Sequence, residues 1–242
     1  EFEAGTLARF LKAAEADSAS PKARSTRDKT HLFTDGTETW SQRITNGSYQ
    51  VYLWAIENRS DFYRSFDVKL EGATAASALE RLLDLRHDVI ACGPGMGRTT
   101  GVAEFVRTLL ARATVPLVLD ADALTVLADQ PGVLMGTDER DVIITPHPGE
   151  MARLIAASIE DVQGNRIQVA SDFATTHHVY VVLKGHRTVI ATPQGKVFIN
   201  PTGNPGMATG GTGDVLTGMI AAWLAQLLDA EAACRLAVFL HG

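Results

Sequence analysis

Three observations predict an α/β fold with a mainly parallel central sheet and helices on both faces. Residues 70–242 alternate short apolar runs with helix-spaced segments, the apolar runs are continuous, and each ends in a polar or glycine-rich cluster. A continuous apolar strand is buried on both faces, and a parallel sheet provides that environment because its crossovers carry helices.

Taken in order, Asp88–Cys92 is the first strand and runs into Gly93-Pro-Gly-Met-Gly97, after which Val102–Arg112 has helical spacing. Pro116–Asp120 is the next strand, followed by a helical Ala123–Ala128. Asp141–Thr145 leads into Pro146-His-Pro-Gly-Glu150, and Met151–Ala157 continues as a helix. A second helical stretch, Asp161–Thr176, precedes the strand Val179–Leu183 and the pair Lys184-Gly185. Thr188–Thr192 and Val197–Asn200, joined through Pro193-Gln-Gly195, read as a hairpin. Ligands of open parallel sheets bind beyond the carboxyl ends of the strands. Those ends carry Gly93–Gly97, Asp120-Ala-Asp122, His147–Glu150 and Lys184–Thr188, so four clusters are expected along one edge.

The most informative stretch is Asn200–Asp214, with Gly203, Gly206, Gly210, Gly211 and Gly213, followed by an apolar helix from Val215 to Leu228. Glycines at a helix start let a ligand approach the main chain. The first N–H groups there lack intrahelical partners, and the helix dipole favours negative charge. Gly210, Gly211, Thr212 and Gly213 are therefore read as an anion hole, most often used for phosphate. Asp214 repels an anion, so it needs a role of its own: helix cap, proton acceptor or metal ligand. Asp120 and Asp122 read equally as metal ligands or as caps of the next helix. Arg166 reads as a structural or surface group rather than a catalytic one.

Residues 1–69 differ in character. Thr6–Ala16 is expected to be a helix, Ser18–Asp28 a loop, and Gln50–Ala55 and Phe62–Leu70 strands; no repeat or chemical motif stands out. The net charge of −6, with no dense Lys/Arg stripe, argues against nucleic-acid binding. Cys92 and Cys234 have no metal-ligand spacing and suit a reduced compartment. The first thirty residues contain no apolar signal core, and Val215–Leu228 is too short to span a bilayer. A cytoplasmic protein that binds neither nucleic acid nor membrane is expected.

Five motifs in order carry a resemblance: Gly93-Pro-Gly-Met-Gly97, Leu119–Leu124, Thr145–Leu154, Val182–Thr188 and Gly203–Asp214. Together they resemble the ADP/ATP-dependent NAD(P)H-hydrate dehydratases, carbohydrate-kinase-like enzymes of the ribokinase superfamily. The resemblance implies a ribokinase-like layer sandwich over residues 70–242, preceded by an N-terminal segment, 1–69, atypical for the family. It also implies a further C-terminal helix beyond His241-Gly242 and a homo-oligomer. The implied reaction returns hydrated NADH or NADPH (NADHX, NADPHX) to the reduced cofactor at the expense of ADP or ATP with Mg2+, through phosphorylation of the ring hydroxyl and loss of phosphate. Matched onto this sequence, Asp214 is the implied catalytic base. Gly97, His147 and Asp214 bind substrate, Lys184, Gly185, His186, Arg187, Thr188 and Gly213 bind the nucleotide, and Glu150 is a candidate contact for the metal. Two alternatives remain at this point: a ribokinase-superfamily kinase of a small hydroxylated metabolite, and a non-catalytic nucleotide-binding protein.

Overall fold

The computed structural model describes residues 79–80, 82–84, 87–226 and 229–242. The expectations for Thr6–Ala16, Ser18–Asp28, Gln50–Ala55 and Phe62–Leu70, and the boundary near residue 70, lie outside these residues. A six-stranded sheet runs in the order β1-β2-β3-β4-β5-β6, with β1 Ile90–Cys92, β2 Leu117–Leu119, β3 Val142–Ile144, β4 Tyr180–Leu183, β5 Val189–Ala191 and β6 Val197–Ile199. The first four strands are mutually parallel, while β5 and β6 are antiparallel additions. The expected α/β sandwich is the observed fold.

The helices α1 Thr100–Arg112, α2 Ala121–Leu127, α3 Pro148–Leu154, α4 Ile159–Gly164 and α5 Arg166–His177 all lie between parallel strands that are direct neighbours. Right-handed crossovers taken in one direction put every such helix on the same face. The core follows that rule. Leu117, Leu119, Val142, Ile144, Val181 and Leu183 pack with α1 to α5 in one cluster. Val118, Ile143, Val182 and Ile190, the alternate residues of the same strands, pack against α6 Thr212–Ala225 and α7 Ala230–His241 in the other. Residues two apart share a face of a strand, so a sheet buried on both sides demands the unbroken apolar runs seen in the sequence. Ile143 has no exposed surface, and truncating such a residue to Ala costs about 2–5 kcal/mol.

Three of the boundaries that differ from those read in the sequence have a clear local cause. The stretch Asp161–Thr176 is two helices, broken at Asn165, whose backbone (φ −134, ψ 36) is not helical. α3 begins at Pro148, because His147 and Glu150 cap it and proline is tolerated at a first helical position. The helix after the glycine-rich segment begins at Thr212, with Gly211 at the cap position.

Candidate active site

Parallel strands in close register bring their carboxyl ends to one edge, and that edge collects the four expected clusters. Gly93 ends β1 with φ +133, and a Cβ there would stand 1.7 Å from the Asp120 carbonyl oxygen. Glycine is therefore required for the two strand ends to come this close. The turn that follows is latched by Asp122, whose carboxylate accepts from the Gly97 N–H at 2.9 Å and from Arg98 Nε at 2.9 Å. The Gly97 N–H is thus occupied, but nothing lies within 4 Å of where its Cβ would be, so the turn presents an open face.

Asp120 ends β2 and is 1% exposed. It sits at the cap position of α2, yet its side chain makes no cap hydrogen bond. Its carboxylate instead accepts from Lys184 Nζ at 2.7 Å and from Thr217 Oγ1 at 2.9 Å. Neither Asp120 nor Asp122 therefore caps α2 through its side chain; one holds a lysine and a helix, the other a glycine turn.

Proline on either side of His147 sets the start of α3. Its Nδ1 accepts from the N–H groups of Gly149 at 3.0 Å and Glu150 at 3.2 Å, while Glu150 Oε2 accepts from the His147 N–H at 2.8 Å. This reciprocal capping box places the ring proton on Nε2, which lies 3.4 Å from Glu150 Oε1. Burial, joined by Lys184 and Arg153, lowers the His147 pKa against the opposing Glu150 and Asp120 carboxylates. The side chain is half exposed, so a neutral imidazole here can donate from Nε2 to a ligand at the sheet edge.

Lys184 leaves β4 and sends its ammonium inward, to Asp120 and to within 3.9 Å of Glu150 Oε2. The turn after it is tied by Arg166, which donates to the carbonyls of Leu183 at 2.9 Å, Lys184 at 3.3 Å and His186. Thr188 Oγ1 closes the turn by donating to the Gly185 carbonyl at 3.2 Å. Arg166 is thus structural, as its position suggested. Beside this turn lies a shallow, open cavity of about 460 Å³ lined by Asn165, Arg166, Ile167, His186, Arg187 and Ile199.

β6 runs antiparallel to β5 and returns the chain to the same edge, where the glycine-rich segment opens α6. Gly211 adopts φ +90, a conformation L side chains resist, and offers no side-chain cap. The Thr212 hydroxyl turns back to the carbonyls of Met207 at 2.8 Å and Thr209 at 2.7 Å, so it folds the loop and only its backbone remains for an anion. A Cβ on Gly213 would sit 3.3 Å from Lys184 Nζ, which places the lysine charge directly under the helix start. Asp214 is the third residue of α6. The cap reading of Asp214 is therefore corrected: a cap precedes the helix, and Gly211 occupies that place. Asp214 is exposed. Its pKa is nonetheless raised, by surrounding protein first and by the Asp120 carboxylate second, against the pull of Lys184.

A family model described as NAD(P)H-hydrate dehydratase matches residues 55–242. The chain belongs to the NAD(P)H-hydrate dehydratase family. It is 48% identical over 173 residues to a bifunctional NAD(P)H-hydrate repair enzyme of Moorella thermoacetica, covering 71% of this chain and 32% of that protein. The crystal structure of the Bacillus subtilis ADP/ATP-dependent NAD(P)H-hydrate dehydratase, co-crystallised with ATP and Mg2+, superposes with a TM-score of 0.60 at 39% identity, over 69% of this chain and 59% of that one. A ribokinase-like superfamily protein of Enterococcus faecalis gives a TM-score of 0.54 at 34% identity, over 64% and 53% of the two chains. The chain spans less than two thirds of the length of each of these relatives.

In this dehydratase-family chain the sequence motifs brought Gly97, His147, Glu150, Lys184, Gly213 and Asp214 to a single edge, and the structure places them there. Sequence reasoning missed Thr217 altogether. Its signal was available: it is a polar residue, 3% exposed, on the same helix face as the buried Ile220 and Leu224.

Proposed function

We propose that this chain contributes nucleotide-dependent dehydration of hydrated NADH or NADPH, with ADP or ATP as phosphoryl donor. The observation that supports it most directly is the Gly213–Lys184–Asp214 grouping: an open helix start, a lysine charge beneath it and a carboxylate one residue further on. Such a grouping suits phosphoryl transfer, which asks a protein chiefly to position reactants and stabilise charge.

In this reading the backbone of Gly210 to Gly213 and the Lys184 ammonium receive the transferring phosphate. The Lys184–Thr188 turn and its flanking cavity, with His186 and Arg187, hold the rest of the nucleotide. The nicotinamide ring lies over Gly97 and His147, with its hydroxyl toward Asp214. Asp214 takes the hydroxyl proton as the oxygen attacks phosphorus and the bond to the nucleotide breaks. The ring C–O bond then cleaves, phosphate leaves with the bonding pair, and a neighbouring ring carbon releases a proton to restore the double bond. Water is a poor leaving group at neutral pH; phosphate is a good one.

Among the described residues no group of three or more His, Cys, Asp or Glu side chains is arranged to hold a metal. Glu150 Oε2 already accepts from the His147 N–H and its Oε1 faces His147 Nε2 at 3.4 Å, so it would reach a magnesium, an ion that keeps several of its waters, through one of those waters. There the ion would neutralise charge on the phosphates. The test is to incubate the protein with hydrated NADH and either ADP or ATP and to follow absorbance at the NADH band. Nucleotide-dependent recovery is expected; no recovery with either nucleotide would sink the proposal.

A further inference from the structure

The Asp120 carboxylate lies beneath the cradle rather than in it. It is held by Lys184 at 2.7 Å and Thr217 at 2.9 Å, and it is 1% exposed, whereas the Lys184 side chain is 19% exposed. The lysine therefore presents one side to the buried carboxylate and another to the space under Gly213. A lysine ammonium on its flexible stem has several donors and no fixed direction of its own. Here the direction comes from the 2.7 Å bond: Glu150 stands at 3.9 Å and is already engaged by the His147 N–H, and the Asp214 carboxylate, which also interacts with the lysine, is exposed at the helix start. Thr217 lies one turn after Gly213 on α6. The same carboxylate thus fixes both the lysine of β4 and the helix whose first residues form the cradle.

We infer that Asp120 is a positioning residue for nucleotide phosphate, aiming the Lys184 ammonium at the opening of α6. The inference rests on the nucleotide reading above and adds to it a residue that touches no ligand. Three elements distant in sequence, β2, β4 and α6, meet at this single carboxylate. Removing its charge frees the lysine to follow a phosphate or to turn toward Glu150, so the effect on ligand binding must pass through Lys184.

A double-mutant cycle read by ATP affinity, with magnesium present, tests it. Asp120→Asn keeps the size of the side chain and an acceptor for Thr217 but loses the charge; Lys184→Met removes the ammonium. Residues acting through one another couple, while independent ones add to within about a factor of two. The expected result is that Asp120→Asn changes ATP affinity at least about threefold more in the parent than in the Lys184→Met background. Equal fold-changes in the two backgrounds would overturn the inference. If Lys184→Met does not fold, Lys184→Gln takes its place. Thr217→Val, which removes the other bond to the same carboxylate, measures a purely structural loss: a lower melting temperature with ATP affinity within about twofold of the parent. An affinity change in Thr217→Val as large as in Asp120→Asn would also overturn the inference. A parent that binds no nucleotide sinks the functional reading and this inference together; a parent that binds, with no coupling, sinks this inference alone.

Discussion

Two helices begin at the same edge of the sheet, and they begin in opposite ways. α3 closes itself: Pro148 has no N–H, His147 Nδ1 takes the N–H groups of Gly149 and Glu150, and the His147 carbonyl takes that of Met151 at 3.0 Å. α6 stays open: Gly211 brings no side chain, and the Thr212 hydroxyl is turned back into the loop. The first N–H groups of any helix need a partner, and burial makes an unmet one expensive. A start that folds without supplying partners has kept them for a ligand or for water. The closed start instead offers a neutral imidazole and a carboxylate fixed in direction. The edge thus carries one open helix start, of the kind that suits an anion, and one closed start whose side chains are fixed in direction.

The largest effect expected at the open end is on Asp214. Asp214→Asn keeps its size but cannot accept a proton, and loss of a general base costs about 10² to 10⁴ in rate. Because Asp214 is not the cap, melting temperature and nucleotide affinity should remain near the parent's while recovery of NADH absorbance nearly disappears. Near-normal turnover would remove Asp214 from the chemistry. As its pKa is raised in the fold, chiefly by surrounding protein, turnover should decline as pH falls through a value above the ordinary 3.8, where the carboxylate takes up its proton. A rate flat down to that pH would contradict the role.

Gly213 tests whether the open start is open for a nucleotide. Saturating ATP or ADP should raise the melting temperature of the parent, as a ligand at a hundred times its Kd stabilises by about 2.7 kcal/mol. Gly213→Val puts branched bulk where even a Cβ would come within 3.3 Å of Lys184 Nζ. The nucleotide-induced shift should be lost while the helix, which tolerates valine with a small propensity cost, still forms. An undiminished shift would put the phosphates elsewhere and break the comparison at its open end.

Sequence patterning was most successful where packing repeats. Continuous apolar runs identified β1 to β4 because their alternate residues serve the two core clusters. Motif order then placed the strand-end groups on one edge. It was least successful where a single backbone angle decides. Aspartate is a favoured cap, so Asp214 invited that reading, yet the +90 φ of Gly211 starts the helix three residues earlier. Asn165 divides a stretch whose apolar spacing runs through it. The network of Asp120, Lys184 and Thr217 joins positions 97 residues apart at its widest, and no local pattern reports such a contact.

The closed end gives the smaller effects. His147→Ala removes the acceptor for two N–H groups and should lower stability by about 1 kcal/mol, the usual value of a cap. His147→Asn, a good cap of similar reach, should recover most of it in thermal melts, and a deficit as large as alanine's would mean that the imidazole packs rather than caps.

The smallest prediction concerns pH and follows from the tautomer. Nδ1 can accept only while the ring is neutral, and the His147 pKa is lowered from its ordinary 6.5, first by burial, with Lys184 and Arg153 adding to it and Glu150 and Asp120 opposing. For a histidine depressed in the fold, the neutral form is the favoured one, so the unfolded chain binds the proton more readily. The contribution to stability is then complete above 6.5 and is lost as pH falls toward the folded value. Asparagine caps without titrating. The parent should therefore lose stability relative to His147→Asn between about pH 7.5 and 5.5, by no more than about 1 kcal/mol, the value of the cap at stake. A difference that holds constant across that range would show that protonation leaves the start of α3 intact, and the contrast between the two helix starts would then rest on α6 alone.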